Sequence, residues 1–238
     1  MARLLLTRPE ADAAALAEKL RARGHAADSA PLLHIRLHDA ALPALDDIKA
    51  LLITSANGLR AFAALSPRRD LTLYAVGEAS ARAARQAGFA DVHAAGGDLH
   101  SLAALVQRLR KPDDGALLHA AGEDLAGDLV GLLHQAGFDA RGLALYKAET
   151  AQSLPPAVAA GLRAGEYRGV LFFSPRTAAA FVRLATESGA GNGLAAAQAF
   201  CLSANVAERI AMLPWRGICV AAEPSEAALL AAMDRELA

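Results

Sequence analysis

The second half of this sequence repeats the first. The clearest pair is LLITSANGLRAF at residues 51–62 and VLFFSPRTAAAF at residues 170–181. In each copy a short apolar run ends at a serine, and a helix-compatible stretch ending in phenylalanine follows. This pattern predicts a strand that leads into a helix whose first turn can bind an anion. A repeat of this size predicts a chain built from two similar halves.

Three further pairs extend the repeat along the chain. The first has a constant offset, since 116 − 3 = 113. The pairs are residues 3–25 with 116–138, 73–84 with 199–210, and 92–105 with 219–232. The order is therefore A1, B1, A2, B2, where A is strand-helix-strand and B is a series of strand-helix units. Alanine-rich segments that share only composition would also look alike, but the small drift of the offsets favours duplication.

Short apolar runs alternate with stretches of helical period, which predicts an α/β fold with parallel sheets and helices on both faces. The runs begin at Leu4, Leu51, Leu71, Asp91, Ala116, Leu143, Val170, Phe200 and Ile218. Gly24, Gly88 and Gly137 are predicted to end helices in the left-handed conformation. Ser174 followed by Pro175 predicts a helix start.

Two stretches, residues 31–47 and 144–157, interrupt this alternation with prolines and charges and are interpreted as connectors. Two topologies then remain open. A1 can fold with B1, which is simpler on repeat grounds. Alternatively, B1 and A2 form a contiguous middle domain, and A1 completes the other domain with B2.

Composition restricts the class of protein. The 238 residues suffice for two domains, and 54% hydrophobic residues allow each half a core. The net charge of −1 and the lack of a basic block exclude nucleic acid as an expected partner. No apolar run has the length of a membrane span, and the first residues do not resemble a signal peptide. We therefore expect a cytoplasmic protein that does not bind membranes.

Cysteines and histidines give no sign of a metal or redox site. Cys201 and Cys219 lie in apolar runs without CxxC spacing, so we expect reduced thiols in the core. His34 and His38 are the histidines close enough to share a ligand, but no carboxylate or cysteine completes a set. We therefore expect no metal and a core role for the thiols.

The strand-to-helix turns are the candidate site, because ligands of open parallel sheets bind beyond the carboxyl ends of the strands. These turns are rich in hydroxyls and small residues, which suits carboxylate or phosphate groups. For any single serine, a plain helix cap is the competing interpretation. No GxSxG, Walker or HExxH motif is present, and Gly96-Gly97 does not make a dinucleotide fingerprint, so we expect no cofactor.

The ordered motifs of this chain resemble those of the uroporphyrinogen-III synthase family. The motifs are LLLTRPE, LLITSANGLRAF, YAVGEASARAARQAGF, the ALYK segment, VLFFSPRTAAAF and AAEPSEAALLAA, and they span nearly the whole chain. The resemblance implies a cofactor-independent lyase that closes hydroxymethylbilane to uroporphyrinogen III with loss of water and inversion of ring D. It also implies two similar parallel-sheet α/β domains joined by a two-stranded connector, with the active cleft between the domains.

This resemblance favours pairing A1 with B2. It implies a discontinuous terminal domain of residues 1–33 and 149–238, an inserted domain of residues 44–141, and a connector ladder of residues 34–43 and 142–148. It further implies a monomer whose partner is its small-molecule substrate, with transient contact to hydroxymethylbilane synthase as a further hypothesis.

The resemblance implies individual site residues, each at a position that matches a motif of the family. Tyr146 matches the family tyrosine that donates a proton to the leaving hydroxyl, although packing on the ladder would also account for it. Val206 and Ala121 depart from the family pattern, which puts substrate contacts at those turns in doubt. The residues expected to bind substrate are Thr7, Arg8, Ser55, Asn57, Gly77, Ser80, Gly122, Ser174, Thr177 and Asn205.

Two other classes of protein remain as alternatives. The first is a non-catalytic protein of the same fold that binds a tetrapyrrole or another polycarboxylate, which the departures at Val206 and Ala121 favour. The second is a two-lobed solute-binding protein, against which the lack of a signal peptide counts. An activity assay distinguishes the enzyme from both.

Overall fold

The computed structural model describes residues 1–39 and 42–237. The strands are β1 (Arg3–Leu6), β2 (Ala26–Ser29), β3 (Leu33–Leu37), β4 (Ile48–Ile53), β5 (Thr72–Ala75), β6 (Val92–Ala94), β7 (Ala116–Gly122), β8 (Ala140–Thr150), β9 (Gly169–Phe172), β10 (Gln198–Cys201) and β11 (Gly217–Val220). The helices are α1 (Glu10–Ala22), α2 (Ala56–Leu65), α3 (Glu78–Gln86), α4 (Leu99–Leu109), α5 (Leu129–Gln135), α6 (Pro156–Arg163), α7 (Pro175–Glu187), α8 (Ala204–Ile210) and α9 (Glu226–Leu237). Short 3₁₀ helices cover Pro112–Asp114 and Gly191–Ala196.

The chain divides into two compact units. Unit 1 comprises Met1–His34 and Glu149–Ala238, and unit 2 comprises Ile35–Ala148. The five-stranded sheet has the order β11-β10-β9-β1-β2, and the six-stranded sheet has the order β3-β8-β7-β4-β5-β6. Because β1 pairs in parallel with β9, A1 shares a sheet with B2. The residue limits predicted for the domains and the connector ladder stay predictions.

Five strands of the six-stranded sheet match the strands of the five-stranded sheet. In unit 1, β1 lies between β2 and β9, and β10 and β11 follow outward from β9. In unit 2, β7 lies between β8 and β4, and β5 and β6 follow outward from β4. The pairings along these five-strand series are all parallel. The duplicated segments therefore occupy equivalent positions, as expected for a duplicated unit.

Both faces of each sheet are covered, and this explains the continuous apolar runs of the central strands. In β4, Leu51 and Ile53 pack in one core cluster of unit 2, whereas Leu52 packs in the other. In β9, Phe172 and Leu171 likewise belong to different clusters of unit 1. Successive strand residues point to opposite faces, so a strand buried on both faces is apolar at consecutive positions. The predicted α/β fold class is confirmed.

The predicted helix boundaries are also confirmed at the positions that backbone chemistry determines most strongly. Gly24, Gly88 and Gly137 have φ values of 79°, 95° and 85° and follow the ends of α1, α3 and α5. Glycine takes this left-handed conformation without steric cost. Ser174 caps α7 by accepting a hydrogen bond from the main-chain N–H of Thr177, with Pro175 in the first turn.

Candidate functional site

Three strand-to-helix turns of unit 2 lie side by side. They follow β7, β4 and β5, which are neighbours in the sheet and run parallel. The carboxyl ends of these strands therefore meet at one edge, where ligands of open α/β sheets bind. This edge brings together the predicted residues Gly122, Ser55 and Gly77.

Ser55 and Tyr146 form the central contact at this edge. The Ser55 Oγ lies 3.1 Å from the Tyr146 hydroxyl, and it also accepts a hydrogen bond from the main-chain N–H of Gly58 at 3.1 Å. Ser55 is thus the cap of α2 and a partner of the tyrosine. Tyr146 is 9% exposed, so most of its ring is packed in the core.

A bulge in β8 determines where the Tyr146 ring points. The strands β7 and β8 stay in register up to the pair Ala121 and Ala144, but the next pair is Gly122 with Tyr146. β8 therefore contains one extra residue, Leu145. Leu145 and Tyr146 pack in the same core cluster, although neighbours in a regular strand face opposite sides. The bulge thus turns Tyr146 toward the sheet face covered by α2.

A buried histidine supports the same turn. His119 of β7 is 2% exposed, and its Nε2 lies 3.0 Å from the hydroxyl of Thr54. Thr54 directly precedes Ser55 in the sequence. Burial lowers the pKa of His119 to about 4, so the imidazole is neutral at pH 7. It lines a cavity of about 320 Å³, together with Glu123. Sequence reasoning passed over His119, although a polar residue inside the apolar run ALLHAAG is a signal for it.

The other predicted residues of unit 2 lie on the same turns. The side-chain oxygen of Asn57 accepts a hydrogen bond from Arg60, one helical turn later. Gly77 is the cap residue of α3, and Ser80 lies buried in the first turn of that helix. Their positions agree with the predicted edge, but the Asn57 oxygen already has a partner.

Thr7 and Arg8 of unit 1 follow β1 and already have partners. Thr7 is fully buried, and its hydroxyl donates to the main-chain carbonyl of Leu171 at 2.8 Å. Arg8 donates to the Glu226 carboxylate at 2.7 Å, and its guanidinium lies 4.3 Å from the centre of the Phe173 ring. A substrate carboxylate at Arg8 must therefore exchange with Glu226.

The turns after β9 and β10 hold the remaining predicted residues of unit 1. The Ser174 and Thr177 hydroxyl oxygens lie 2.8 Å apart, and Thr177 is 4% exposed. Asn205 is exposed in the first turn of α8. Val206, one of the departures from the family pattern, packs in the core of unit 1. The side chain at that position is thus committed to packing.

The helices that follow Ser55 and Ser174 share an electrostatic feature. Neither α2 nor α7 has an acidic residue in its first turn. The same holds for α4, α5, α6 and α8, whereas α1, α3 and α9 have Glu10, Glu78 and Glu226 in theirs. Acidic side chains in the first turn offset the positive end of the helix dipole. The first turns of α2 and α7 thus have no side-chain carboxylate of their own and suit a carboxylate from a ligand.

The thiols and candidate metal ligands are dispersed. Cys201 and Cys219 are free cysteines, and burial raises the pKa of the Cys201 thiol to about 12. His38 lies 3.3 Å from the Glu123 carboxylate. In residues 1–39 and 42–237, no group of three or more His, Cys, Asp or Glu side chains is placed to hold a metal ion. Across the same residues, no helix combines the length and apolarity needed to cross a membrane.

The fold and the turns define a two-unit α/β protein whose parallel sheets present hydroxyls and small residues at their carboxyl ends. The family described as uroporphyrinogen-III synthase HemD matches residues 14–231. The chain therefore belongs to the uroporphyrinogen-III synthase family, the cyclising lyases of tetrapyrrole biosynthesis. The predicted family and enzyme class are confirmed.

Solved structures support the fold. A uroporphyrinogen-III synthetase from Helicobacter pylori is 16% identical, with a TM-score of 0.65 over 100% of both chains. A mutant uroporphyrinogen III synthase from the extremely thermophilic bacterium Thermus thermophilus is 18% identical, with a TM-score of 0.52 over 100% of this chain and 99% of that one. At these identities the likeness concerns the fold. A comparison with curated protein sequences gives no match.

Proposed function

We propose that this chain closes hydroxymethylbilane to uroporphyrinogen III, with loss of water and inversion of ring D. The observation that carries the proposal is the paired hydroxyls of Ser55 and Tyr146, 3.1 Å apart at the carboxyl edge of a parallel sheet, in a member of this family. The pair offers a proton donor at the place where ligands of such sheets bind.

The reaction needs a proton delivered to the leaving hydroxyl, a proton removed from ring D, and control of conformation. The terminal hydroxyl leaves as water when it receives a proton, and the electron pair of the adjacent pyrrole replaces the broken bond. The resulting azafulvene is attacked by the substituted carbon of ring D, which gives a spiro intermediate. The bond from that carbon to its original bridge then breaks and re-forms at the unsubstituted carbon, which loses its proton as the inverted pyrrole is restored. Unassisted closure occurs at the unsubstituted carbon, so the enzyme contributes mainly by positioning the two ends.

The hydrogen-bond arrangement around Tyr146 suits proton donation. The Ser55 oxygen accepts from the Gly58 N–H and lies 3.1 Å from the Tyr146 oxygen, so the Ser55 hydroxyl can donate its own proton to the tyrosine. In that arrangement the phenol proton is directed to the leaving hydroxyl. After transfer, the Ser55 hydroxyl stabilises the phenolate oxygen. Ser55 thus supports Tyr146 in addition to capping α2.

The acetate and propionate groups of the substrate are assigned to the polar turns. The absence of acidic residues in the first turns of α2 and α7 favours carboxylates there. A substrate carboxylate binds Arg8 by replacing the Glu226 carboxylate, which accepts a hydrogen bond from the Arg8 guanidinium in this structure. The proposed substrate-binding set is Thr7, Arg8, Ser55, Asn57, Gly77, Ser80, Gly122, Ser174, Thr177 and Asn205, with Tyr146 as the proton donor.

Two tyrosine variants test the proposal as a matched pair. Tyr146→Phe should lower turnover of hydroxymethylbilane by about 10² or more, because it removes the general acid. Tyr167→Phe is the control, since the Tyr167 hydroxyl donates to Asp28 at 2.6 Å within unit 1. It should lower the unfolding temperature and leave turnover unchanged. Unchanged turnover in folded Tyr146→Phe would remove Tyr146 as the donor, whereas no turnover by the unmodified protein would refute the reaction.

The proposal extends to the setting of the reaction. The chain acts in the cytoplasm as a monomer, without a cofactor, and receives hydroxymethylbilane during transient contact with hydroxymethylbilane synthase. Light scattering should then give a mass near 24.6 kDa. Folded Tyr146→Phe protein added during synthase turnover should slow spontaneous closure of the bilane. A dimer mass, or an undiminished rate of spontaneous closure, would contradict the corresponding part.

A further inference from the structure

Gly122 lies so close to the Tyr146 ring that a side chain at position 122 would overlap the ring. A Cβ atom built on Gly122 would lie 2.8 Å from both Cε2 and Cζ of Tyr146, and 3.2 Å from its hydroxyl oxygen. Ordinary contacts between carbon atoms are about 3.5–4.0 Å. Room for a Cβ would therefore require the ring to move by about 1 Å, since 3.5 − 2.8 = 0.7 and 4.0 − 2.8 = 1.2.

The backbone at this position does not itself require glycine. Gly122 is not among the residues with positive φ, so its backbone is open to other amino acids. The three atoms nearest to the added Cβ all belong to Tyr146. Position 122 therefore requires glycine because the Tyr146 ring occupies the space that a Cβ atom would take.

The surroundings of Tyr146 prevent the ring from moving without consequence. The bulge at Leu145 directs the ring into the same core cluster as Leu145, and the ring is 9% exposed. At its tip, the hydroxyl meets Ser55 at 3.1 Å. A displacement of about 1 Å away from Ser55 would take this contact to about 4 Å, beyond hydrogen-bond distance.

We propose that Gly122 is a positioning residue, which lets the Tyr146 ring lie over the end of β7 so that its hydroxyl reaches Ser55. This role deepens the proposed function and rests on it for its catalytic meaning. Gly122 also belongs to the proposed substrate-binding set, and the two roles differ in their kinetics, because a positioning residue acts through Tyr146.

The placement of the ring can be tested without substrate. The protein has three tyrosines, so ¹³Cζ-labelled tyrosine gives three assignable NMR signals. Gly122→Ala should shift the Tyr146 signal and leave those of Tyr74 and Tyr167 in place. Gly142→Ala is the matched control in the neighbouring strand, where the added Cβ would meet Val130 at an ordinary 3.6 Å. It should leave all three signals unchanged. An unmoved Tyr146 signal in Gly122→Ala would overturn the proposal.

A stability cycle covers the case in which Gly122→Ala folds poorly. In the unmodified background Gly122→Ala should lower the unfolding temperature, whereas in a Tyr146→Ala background it should have no effect, because the ring is gone. Folding of the double variant alone would also support the proposal. An equal loss of stability in both backgrounds would overturn it, as would a double variant that fails to fold although Tyr146→Ala alone folds.

Kinetics connect the placement with the reaction. Gly122→Ala should lower turnover by about 10², the cost of misplacing a group by about 1 Å, and should add no further loss to Tyr146→Phe. Gly142→Ala should keep full turnover. Additive losses would instead indicate a substrate contact by Gly122 and overturn the positioning role. If the unmodified protein makes no uroporphyrinogen III, the proposed function fails, and the NMR and stability experiments still decide the role of Gly122.

Discussion

Acidification should destabilise unit 2 through His119. This histidine is buried in β7, and its pKa is lowered to about 4 in the folded protein by the loss of hydration. In the unfolded chain its pKa returns to the ordinary value of 6.5. Between these values the unfolded state binds more protons than the folded state, so the free energy of unfolding falls as the pH falls.

The size of this effect follows from the two pKa values. Their difference is 6.5 − 4 = 2.5, which corresponds to about 3 kcal/mol at 1.36 kcal/mol for each pKa unit. The stabilisation is complete above about pH 6.5 and is lost as the pH falls toward 4. At pH 5 the loss is about 2 kcal/mol. This is a large fraction of the stability of a typical domain.

Urea unfolding from pH 7.5 to pH 5 measures the effect. The ¹³C signals of Tyr74 and Tyr146 follow the same unit that contains His119. His119→Gln should reduce the pH-dependent loss by about 2 kcal/mol relative to the unmodified protein. Thr54→Val removes the hydrogen-bond partner but keeps the buried imidazole, so its curve should fall as steeply as the original. Parallel curves for His119→Gln and the unmodified protein would refute the reasoning.

Three further predictions concern the stability and the thiol reactivity of the folded chain. Arg69 donates to four main-chain carbonyls at 2.7–3.1 Å. Arg69→Met should therefore lower the free energy of unfolding in urea by about 2 kcal/mol. An equal loss in the control Arg82→Met, at an exposed position, would contradict this. Ser174→Ala should cost about 1 kcal/mol by loss of the helix cap, and an unchanged urea midpoint would exclude that cap as a stabilising contact. Burial raises the pKa of the Cys201 thiol to about 12, so Cys201 should resist iodoacetamide in the native protein and react after denaturation. Mass spectrometry measures the alkylation. Rapid alkylation of the native protein would disprove the burial of Cys201.

The parts of the fold that follow from local chemistry could be predicted from the sequence. The central strands are apolar runs because both faces are buried, and Gly24, Gly88 and Gly137 end helices because glycine adopts positive φ. β2 was not among the predicted apolar runs, and only the strand-helix-strand pattern of the repeat indicated it. It reads Ala26 to Ser29 at the edge of its sheet, where burial is incomplete and the apolar signal is weak.

The candidate site was predictable as a set of turns, but its contacts were not. The bulge that aims Tyr146 depends on one extra residue between paired strands, which no periodicity records. The partner of Arg8 is Glu226, 218 residues away in the sequence. The hydroxyl of Thr7 is bound by a main-chain carbonyl of another strand. Such long-range contacts decide which turn residues are available to a ligand, and sequence patterns reflect mainly local structure.

Product isomer analysis decides whether this chain makes uroporphyrinogen III. Hydroxymethylbilane is generated in situ, the purified protein is added without any cofactor, and the oxidised products are separated by chromatography. If the chain catalyses the proposed reaction, type III uroporphyrin replaces the type I isomer that unassisted closure forms. Type I alone, from protein shown to be folded, would contradict the account and favour a polycarboxylate-binding protein of the same fold.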